Sequence, residues 1–346
     1  MSASQTSDTG TVVRAVGPGR VNLIGDHTDT TDGLVLPMAI DLATVVQGRR
    51  EGDRVVLTSV DDPEVAVVPL DVADPTALTP GWARYVAGVV AELRPTIGFT
   101  GTVTTTLPVG AGLSSSAALE VAVALALGFT GTPLALAQLT QRAEHRASGV
   151  PCGIMDQLAS AAGVRSHALL IDCHDLTVSP IALPSDVEVR VVHSGQARRL
   201  SGSAYAERLA AVQAAEAVLG PLRLLADPAA VDRLDDPVLR RRARHVITEN
   251  GRVRAAAEAL GSGDVAAAGR AMAASHASLR DDYDVSTPVL DRLVERLSAT
   301  AGVYGARLTG AGFGGCAVAL TEPGALNEGW LVQAADGAQC GMDDGA

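Results

Sequence analysis

Residues 107–120 read LPVGAGLSSSAALE. Two glycines and three consecutive serines run straight into an apolar stretch. Glycines let backbone N–H groups converge on an anion with no Cβ in the way, and the start of a following helix adds a partial positive charge. Serine hydroxyls can donate to phosphate or ligate a divalent cation. A plain strand–turn–helix junction, with Ser114–Ser116 as N-caps, accounts for the same residues. The loop by itself leaves both readings open.

What the chain lacks narrows the choice. Its 346 residues include no lysine, and all 27 basic residues are arginines. That excludes the Walker loop GxxxxGK[ST] and the strand lysine of protein kinases. Any phosphate must be held by backbone N–H groups, hydroxyls, arginine or a metal. The net charge of −12 argues against a nucleic acid partner. The four cysteines, Cys152, Cys173, Cys316 and Cys340, form no CxxC pair and read as reduced thiols. The polar opening MSASQTSDTGT has no signal-peptide core. The apolar run around Ala117–Phe129 contains Glu120 and is too short to span a bilayer. These features predict a cytoplasmic protein with no membrane contact.

The length suits two domains at roughly 150 residues each. Hydrophobic residues make up 47% of the chain and aromatics 3%, so the core must be aliphatic. Residues 1–10 are expected to form a disordered tail. Strand character follows in TVVRAVG, LVLPMAIDLATVVQG, RVVLTSV, EVAVVPL and FTGTVTTTL. Val86, Val89, Val90 and Leu93 have helical spacing. Helices are expected over 116–129 and about 133–148, the latter stopped at Gly149-Val150-Pro151, and CGIMDQLASAAG begins another. HALLIDCHD and VEVRVVHS read as strands. Helices dominate from Ala204 to about Ala274 with a break at Gly261–Gly263, and TPVLDRLVERLSA is another. GARLTGAGFGGCAVALTE reads as strand, glycine-rich turn and buried strand. The pattern is α+β.

The stretch PVGAGLSSSAALE resembles the phosphate-binding motif of the GHMP kinase superfamily, small-molecule kinases without a Walker lysine. GRVNLIGDHTD (19–29) resembles the galactokinase signature, and LTGAGFGGC (308–316) the superfamily's third, glycine-rich motif. GVPCGIMDQ (149–157), RRRARHVITEN (240–250) and SHASLRDDYDVS (275–286) are similar to galactokinase segments. The six stretches come in the family's order, and the resemblance covers the chain from about residue 14 to 320. It implies an α+β, two-lobed GHMP kinase fold. A ribosomal-protein-like β/α N-terminal lobe would span 11–180 and a ferredoxin-like α+β C-terminal lobe 181–346. The implied reaction moves the γ-phosphoryl of ATP, with Mg²⁺, to the anomeric hydroxyl of galactose.

The resemblance also assigns residues. Asp156 matches the catalytic aspartate, where a carboxylate accepts or orients the sugar hydroxyl proton. Arg20 matches the arginine beside it, a permanent cation next to that carboxylate. Gly110, Gly112, Ser114, Ser115 and Ser116 match the phosphate loop. Ser115 and Glu144 match the magnesium ligands, a hard-oxygen set suited to that ion; a solvated helix glutamate is the competing reading of Glu144. Glu120 is expected to pack structurally. Asp26, His27, Asp29, Gly153 and Tyr205 match the sugar site. An Asx-capped turn would explain the aspartates singly, but not the whole Arg20–Asp29 run. Trp82 and Tyr85 match the adenine pocket, and three-residue spacing fits a core helix face equally well. Gly310–Gly315 would approach the phosphates; a tight turn between buried elements is the competing reading. His145, His174 and His245 lack metal-ligand spacing and read as surface or structural histidines.

The chain departs from the family pattern where Glu is usual and Asp26 stands, and where Tyr and Asn are usual and Thr30 and Thr31 stand. These positions bear on which sugar is taken. A kinase for L-arabinose or N-acetylgalactosamine is one alternative; a non-catalytic galactose- and ATP-sensing regulator is another. Only ALNEG separates TEPG from WLVQAADGA, where the family has a helix. Its loss predicts an exposed face on the C-terminal sheet, hence a less stable or homo-oligomeric protein.

Overall fold

The computed structural model describes residues 12–108, 110–197 and 202–342. The expected tail over 1–10 lies outside them. The N-terminal half builds β1 (Val12–Asn22), β2 (Leu34–Val35), β3 (Pro37–Arg50), β4 (Arg54–Ser59), β5 (Ala66–Pro69) and β6 (Phe99–Thr105). β1, β3 and β6 pair antiparallel, and β4 joins β6 in parallel.

Four helices pack against this half: α1 (Ala83–Leu93), α2 (Ser115–Ala126), α3 (Pro133–Ser148) and α4 (Met155–Ala162). α2 is almost wholly apolar, and Ala117–Ala124 are all buried, as befits a helix covered on every side. α3 begins with Thr132 accepting from Ala135 N at 3.2 Å and ends with Gly149 at φ 69°. Those are the capping signals its sequence carries.

β7 (His167–Asp172) pairs with β2 and with β8 (Thr177–Ala182), a strand not anticipated from the sequence. The chain then enters a second sheet, made by β9 (Glu188–His193), β10 (Val303–Thr309), β11 (Cys316–Thr321) and β12 (Trp330–Val332) in the order β10-β11-β9-β12. Between β9 and β10 come α5 (Gly202–Leu219), α6 (Pro237–Gly261), α7 (Val265–Ser278) and α8 (Pro288–Ser298). One face of the sheet shares a core with α6, α7 and the 21–40 segment. Leu293, Val294 and Leu297 of α8 cover the other with Leu326.

Two features differ from the sequence expectation. The last strand, β13 (Gln339–Met342), pairs with β1, so residues 339–342 return to the first lobe and complete a sheet ordered β13-β1-β3-β6-β4-β5. The C-terminal sheet is also not stripped bare. Among its described residues Leu331 is the one exposed large apolar side chain, at 41%. It sits opposite Arg190, which pairs with Glu188 at 3.1 Å. An ion pair and the α8 side chains occupy the ground expected to be an apolar face.

The feature that positions the site is a break in β1. Its register shifts between Pro18 and Arg20. A Cβ at Gly17 would lie 2.1 Å from the carbonyl oxygen of Ala118, so the missing side chain is what lets α2 cross the strand. Ser160 of α4 donates to the Pro18 carbonyl at 2.7 Å. The phosphate loop and the start of α4 are thereby drawn to Arg20.

Candidate active site

Arg20 leaves β1 and meets α4. Its Nε donates to Asp156 Oδ1 at 2.7 Å and its Nη2 to Oδ2 at 2.6 Å. A planar guanidinium fits a carboxylate in this two-pronged way. The arginine side chain is 5% exposed and the aspartate 28%. The cation is therefore buried behind a carboxylate that opens outward. Arg20 Nη1 also donates to Gly112 O at 2.8 Å, and its backbone N to Leu113 O at 3.2 Å.

The loop carries positive φ at Gly110 (76°), Gly112 (79°) and Ser114 (60°). Ser114 stands at the N-cap of α2 but makes no side-chain cap bond; its hydroxyl donates to Asp156 instead. The serine-cap expectation fails there because Ser114 stands in the left-handed region rather than the extended backbone an N-cap needs. Ser115 is exposed at the helix start. Ser116 donates to Glu144 Oε1 at 2.9 Å, and Gln157 also donates to Glu144. Burial raises the Glu144 carboxyl above its usual range, and neighbouring Asp156 adds to the rise. Glu120 is 0% exposed and raised further, first by burial and then by Glu144. It is a core acid, as expected.

The loop from Asn22 to Leu34 closes the other side. Asp26 is buried and held on both oxygens: Oδ2 meets Arg307 Nη2 at 2.5 Å and Asn22 Nδ2 at 2.9 Å, and Oδ1 accepts from Gly310 N at 2.8 Å. Burial raises its pKa even so, with Arg307 working against the rise. Asp26 thus ties the loop to the third glycine motif, while its Oδ1, with a single bond, keeps a lone pair for a further donor. Asp29 is the freer carboxylate. Burial, then Asp156 and Asp26, push its pKa up to about 7. A Cβ at Gly153 would meet Asp29 Oδ2 at 2.0 Å, so Gly153 makes room for Asp29 first. His27, at φ 66°, has Tyr205 of α5 at 5.9 Å between ring centroids. Thr31 turns back to Thr28 O at 3.0 Å. Thr30 lines an outer groove of about 260 Å³ with Asp32, Glu216 and Arg223, away from Asp156.

Trp82 and Tyr85 are half-buried against the N-terminal core, and Tyr85 lies near Glu144 and Glu120, which help raise its pKa behind burial. The indole N–H of Trp82 has no hydrogen-bond partner. A Cβ at Gly315 would lie 3.8 Å from Ala111 O, so the two glycine-rich turns face each other.

Sequence reasoning missed the residues that hold the sugar loop. Glu249 of α6 accepts from Gly25 N at 3.0 Å, Ser275 Oγ at 2.5 Å and Arg252 Nε at 2.6 Å. Asn250 accepts from Leu34 N at 2.8 Å, and His245 Nε2 meets Asp26 O at 3.1 Å. Arg307 donates to Leu23 O at 3.1 Å. The RRRARHVITEN stretch carried Glu249 and Asn250 without a stated role, and the structural reading of His245 holds. Charged and polar residues at helical spacing on the buried face of α6 were the available signal.

The galactokinase galactose-binding signature matches residues 5–50, the GHMP kinase N-terminal domain 84–164 and the GHMP kinase C-terminal domain 256–329. A galactokinase of Roseiflexus sp. (strain RS-1) is 48% identical over 333 residues, covering 90% of this chain and 83% of the relative. The chain belongs to the galactokinase family. The human galactokinase is 44% identical over 93% of this chain and 90% of its own. The structure of Lactococcus lactis galactokinase complexed with galactose superposes with a TM-score of 0.88 at 32% identity, covering 96% of each chain. A mevalonate kinase structure at 19% identity and TM-score 0.65, covering 90% of this chain and 92% of its own, shares the GHMP fold. The family membership accounts for the two-lobed α+β architecture and for the order of the motifs along the chain.

Proposed function

We propose that this galactokinase-family chain transfers the γ-phosphoryl of ATP to the anomeric hydroxyl of galactose, giving galactose 1-phosphate and ADP. The observation that carries the reading is the Arg20–Asp156–Ser114 constellation at the meeting point of the phosphate loop and the sugar loop. The sugar hydroxyl approaches the open side of Asp156, whose carboxylate takes or orients its proton. Arg20 balances that carboxylate and lies where charge grows on the phosphoryl oxygens. The backbone N–H groups of 110–116 and the exposed Ser115 hydroxyl receive the phosphates. His27, Asp29 and Tyr205 hold the sugar, with Asp26 and Gly153 supporting them. Trp82, with its unpaired N–H, and Tyr85 border the adenine.

Magnesium is part of the proposal, and the donor set fits it. Among the described residues no three His, Cys, Asp or Glu side chains gather into a metal cage. That suits an ion held mainly by phosphates and water. Ser115 and Glu144 would complete its shell. Burial and Asp156 push the Glu144 carboxyl toward its neutral form, and a cation beside it would restore the carboxylate. When bound, the ion would neutralise charge on the transferring phosphate. No described helix is long and apolar enough to cross a membrane, and with the unpaired cysteines this supports a cytoplasmic setting.

The test is an ADP-release assay over galactose, L-arabinose and N-acetylgalactosamine, with and without Mg²⁺. Galactose should lead and turnover should need the metal. Arabinose outpacing galactose would reassign the substrate. Tight galactose and ATP binding with no turnover would make the protein a sensor.

A further inference from the structure

Tyr283 has no part in the machinery above, yet it is 1% exposed and sits behind the sugar loop. It ends a π-helical turn, Leu279–Tyr283, that continues α7. Such turns re-aim a side chain that a regular helix would place elsewhere. The turn is pinned by two arginines. Arg208 Nε donates to Tyr283 O at 3.0 Å and its Nη2 to Asp284 O at 2.9 Å; Arg242 Nη1 donates to Asp282 O at 2.5 Å. The Tyr283 ring lies between two imidazoles. It stacks on His27 with centroids 4.5 Å apart and planes at 30°, and it meets His245 at 4.7 Å and 45°. His245 in turn grips the carbonyl of Asp26 and pairs with Ser278 Oγ at 3.0 Å. One phenol and one imidazole from the C-terminal lobe thus frame the Asp26–His27 dipeptide.

We infer that Tyr283 is a positioning residue for sugar recognition, acting through the ring of His27. This rests on the galactokinase reading, which puts His27 in the sugar site. His27 projects from backbone in the left-handed region, where a non-glycine residue persists only if its surroundings hold it. A flat aromatic face at stacking distance fixes the imidazole plane, which an aliphatic side chain of similar volume would not do. Tyr205 meets the same ring at a tilt, so the imidazole has an aromatic neighbour from each of α5 and the π-helical turn.

The test compares wild type, Tyr283→Phe, Tyr283→Leu and Tyr283→Met by steady-state kinetics, galactose calorimetry and melting. Leu and Met should each raise the galactose KM and Kd about tenfold, with the ATP KM unchanged. Phe should restore wild-type values. In a His27→Ala background, Tyr283→Leu should add almost nothing to the galactose KM, because its effect runs through that ring. Met serves should Leu fail to fold. Galactose and ATP KM rising together, additive effects in the double variant, or an unchanged galactose KM in folded Leu and Met proteins would each overturn the positioning role. Wild type that binds no galactose would instead overturn the sugar-site reading beneath it.

Discussion

The Asp29 carboxylate occupies the space a side chain at Gly153 would need. A Cβ there would approach not only Oδ2 at 2.0 Å but also Asp29 Cβ at 2.7 Å, so rotating the carboxylate away does not relieve the clash. Gly153→Ala should therefore displace Asp29 and weaken galactose binding by about tenfold or more, a loss on the order of 1.4 kcal/mol. ATP binding should change little, since the phosphate loop is untouched. Calorimetry with each ligand separately checks this; equal losses for both would mean a general distortion.

Asp29 also sets a pH dependence. Its pKa stands near 7 because burial and two neighbouring carboxylates favour the protonated form. A raised carboxyl pKa contributes stability that is fully present below the unfolded value of about 3.9 and is lost as pH climbs through 7. Asp29→Asn keeps a neutral side chain at every pH. The variant's melting temperature, relative to wild type, should rise between pH 5 and pH 8 by about 2 °C or more. Melting curves across that range decide it, and a constant difference would show that Asp29 does not titrate there.

Asp156→Asn retains the size of the side chain and removes the charge that faces Arg20. It should lower kcat by about 10²–10⁴-fold, while galactose Kd stays within a few-fold of wild type. Turnover and galactose calorimetry on the same preparation separate the two effects. A loss confined to binding would remove Asp156 from the chemical step.

Much of this site could be read from the sequence, and the reason is local. The glycines and serines of 110–116 encode a backbone shape and an anion-facing turn, and Arg20 and Asp156 lie in short, distinctive motifs. What could not be read depends on distant partners. Ser114 reads as a helix cap, yet its backbone is left-handed and its hydroxyl donates to Asp156, 42 residues away. Asp26 matches a sugar ligand, but nothing near it in the sequence shows that Arg307, 0% exposed on β10, pairs with it. The sequence marks no strand over 339–342, and only its pairing with β1 makes β13 part of the first sheet. The clamp formed by His245, Glu249 and Asn250 sits on a helix whose pattern shows burial but not what it is buried against.

The Asp26–Arg307 pair joins the sugar loop to β10 with both side chains nearly inaccessible, at 3% and 0%. Removing one partner of such a pair leaves the other charge uncompensated, at a cost of about 3–5 kcal/mol. Arg307→Met should therefore destabilise the protein by that amount and free the Leu23 carbonyl as well. The partner loss is not additive: adding Asp26→Asn to Arg307→Met removes the stranded charge and should recover part of the stability. Burial already raises the Asp26 pKa despite the arginine, which indicates that the pair does not fully offset its own desolvation. Urea unfolding of the two single variants and the double variant closes the cycle. A double variant no more stable than Arg307→Met would show that the arginine acts through its bond to Leu23 and its packing, with the charge of Asp26 counting for little.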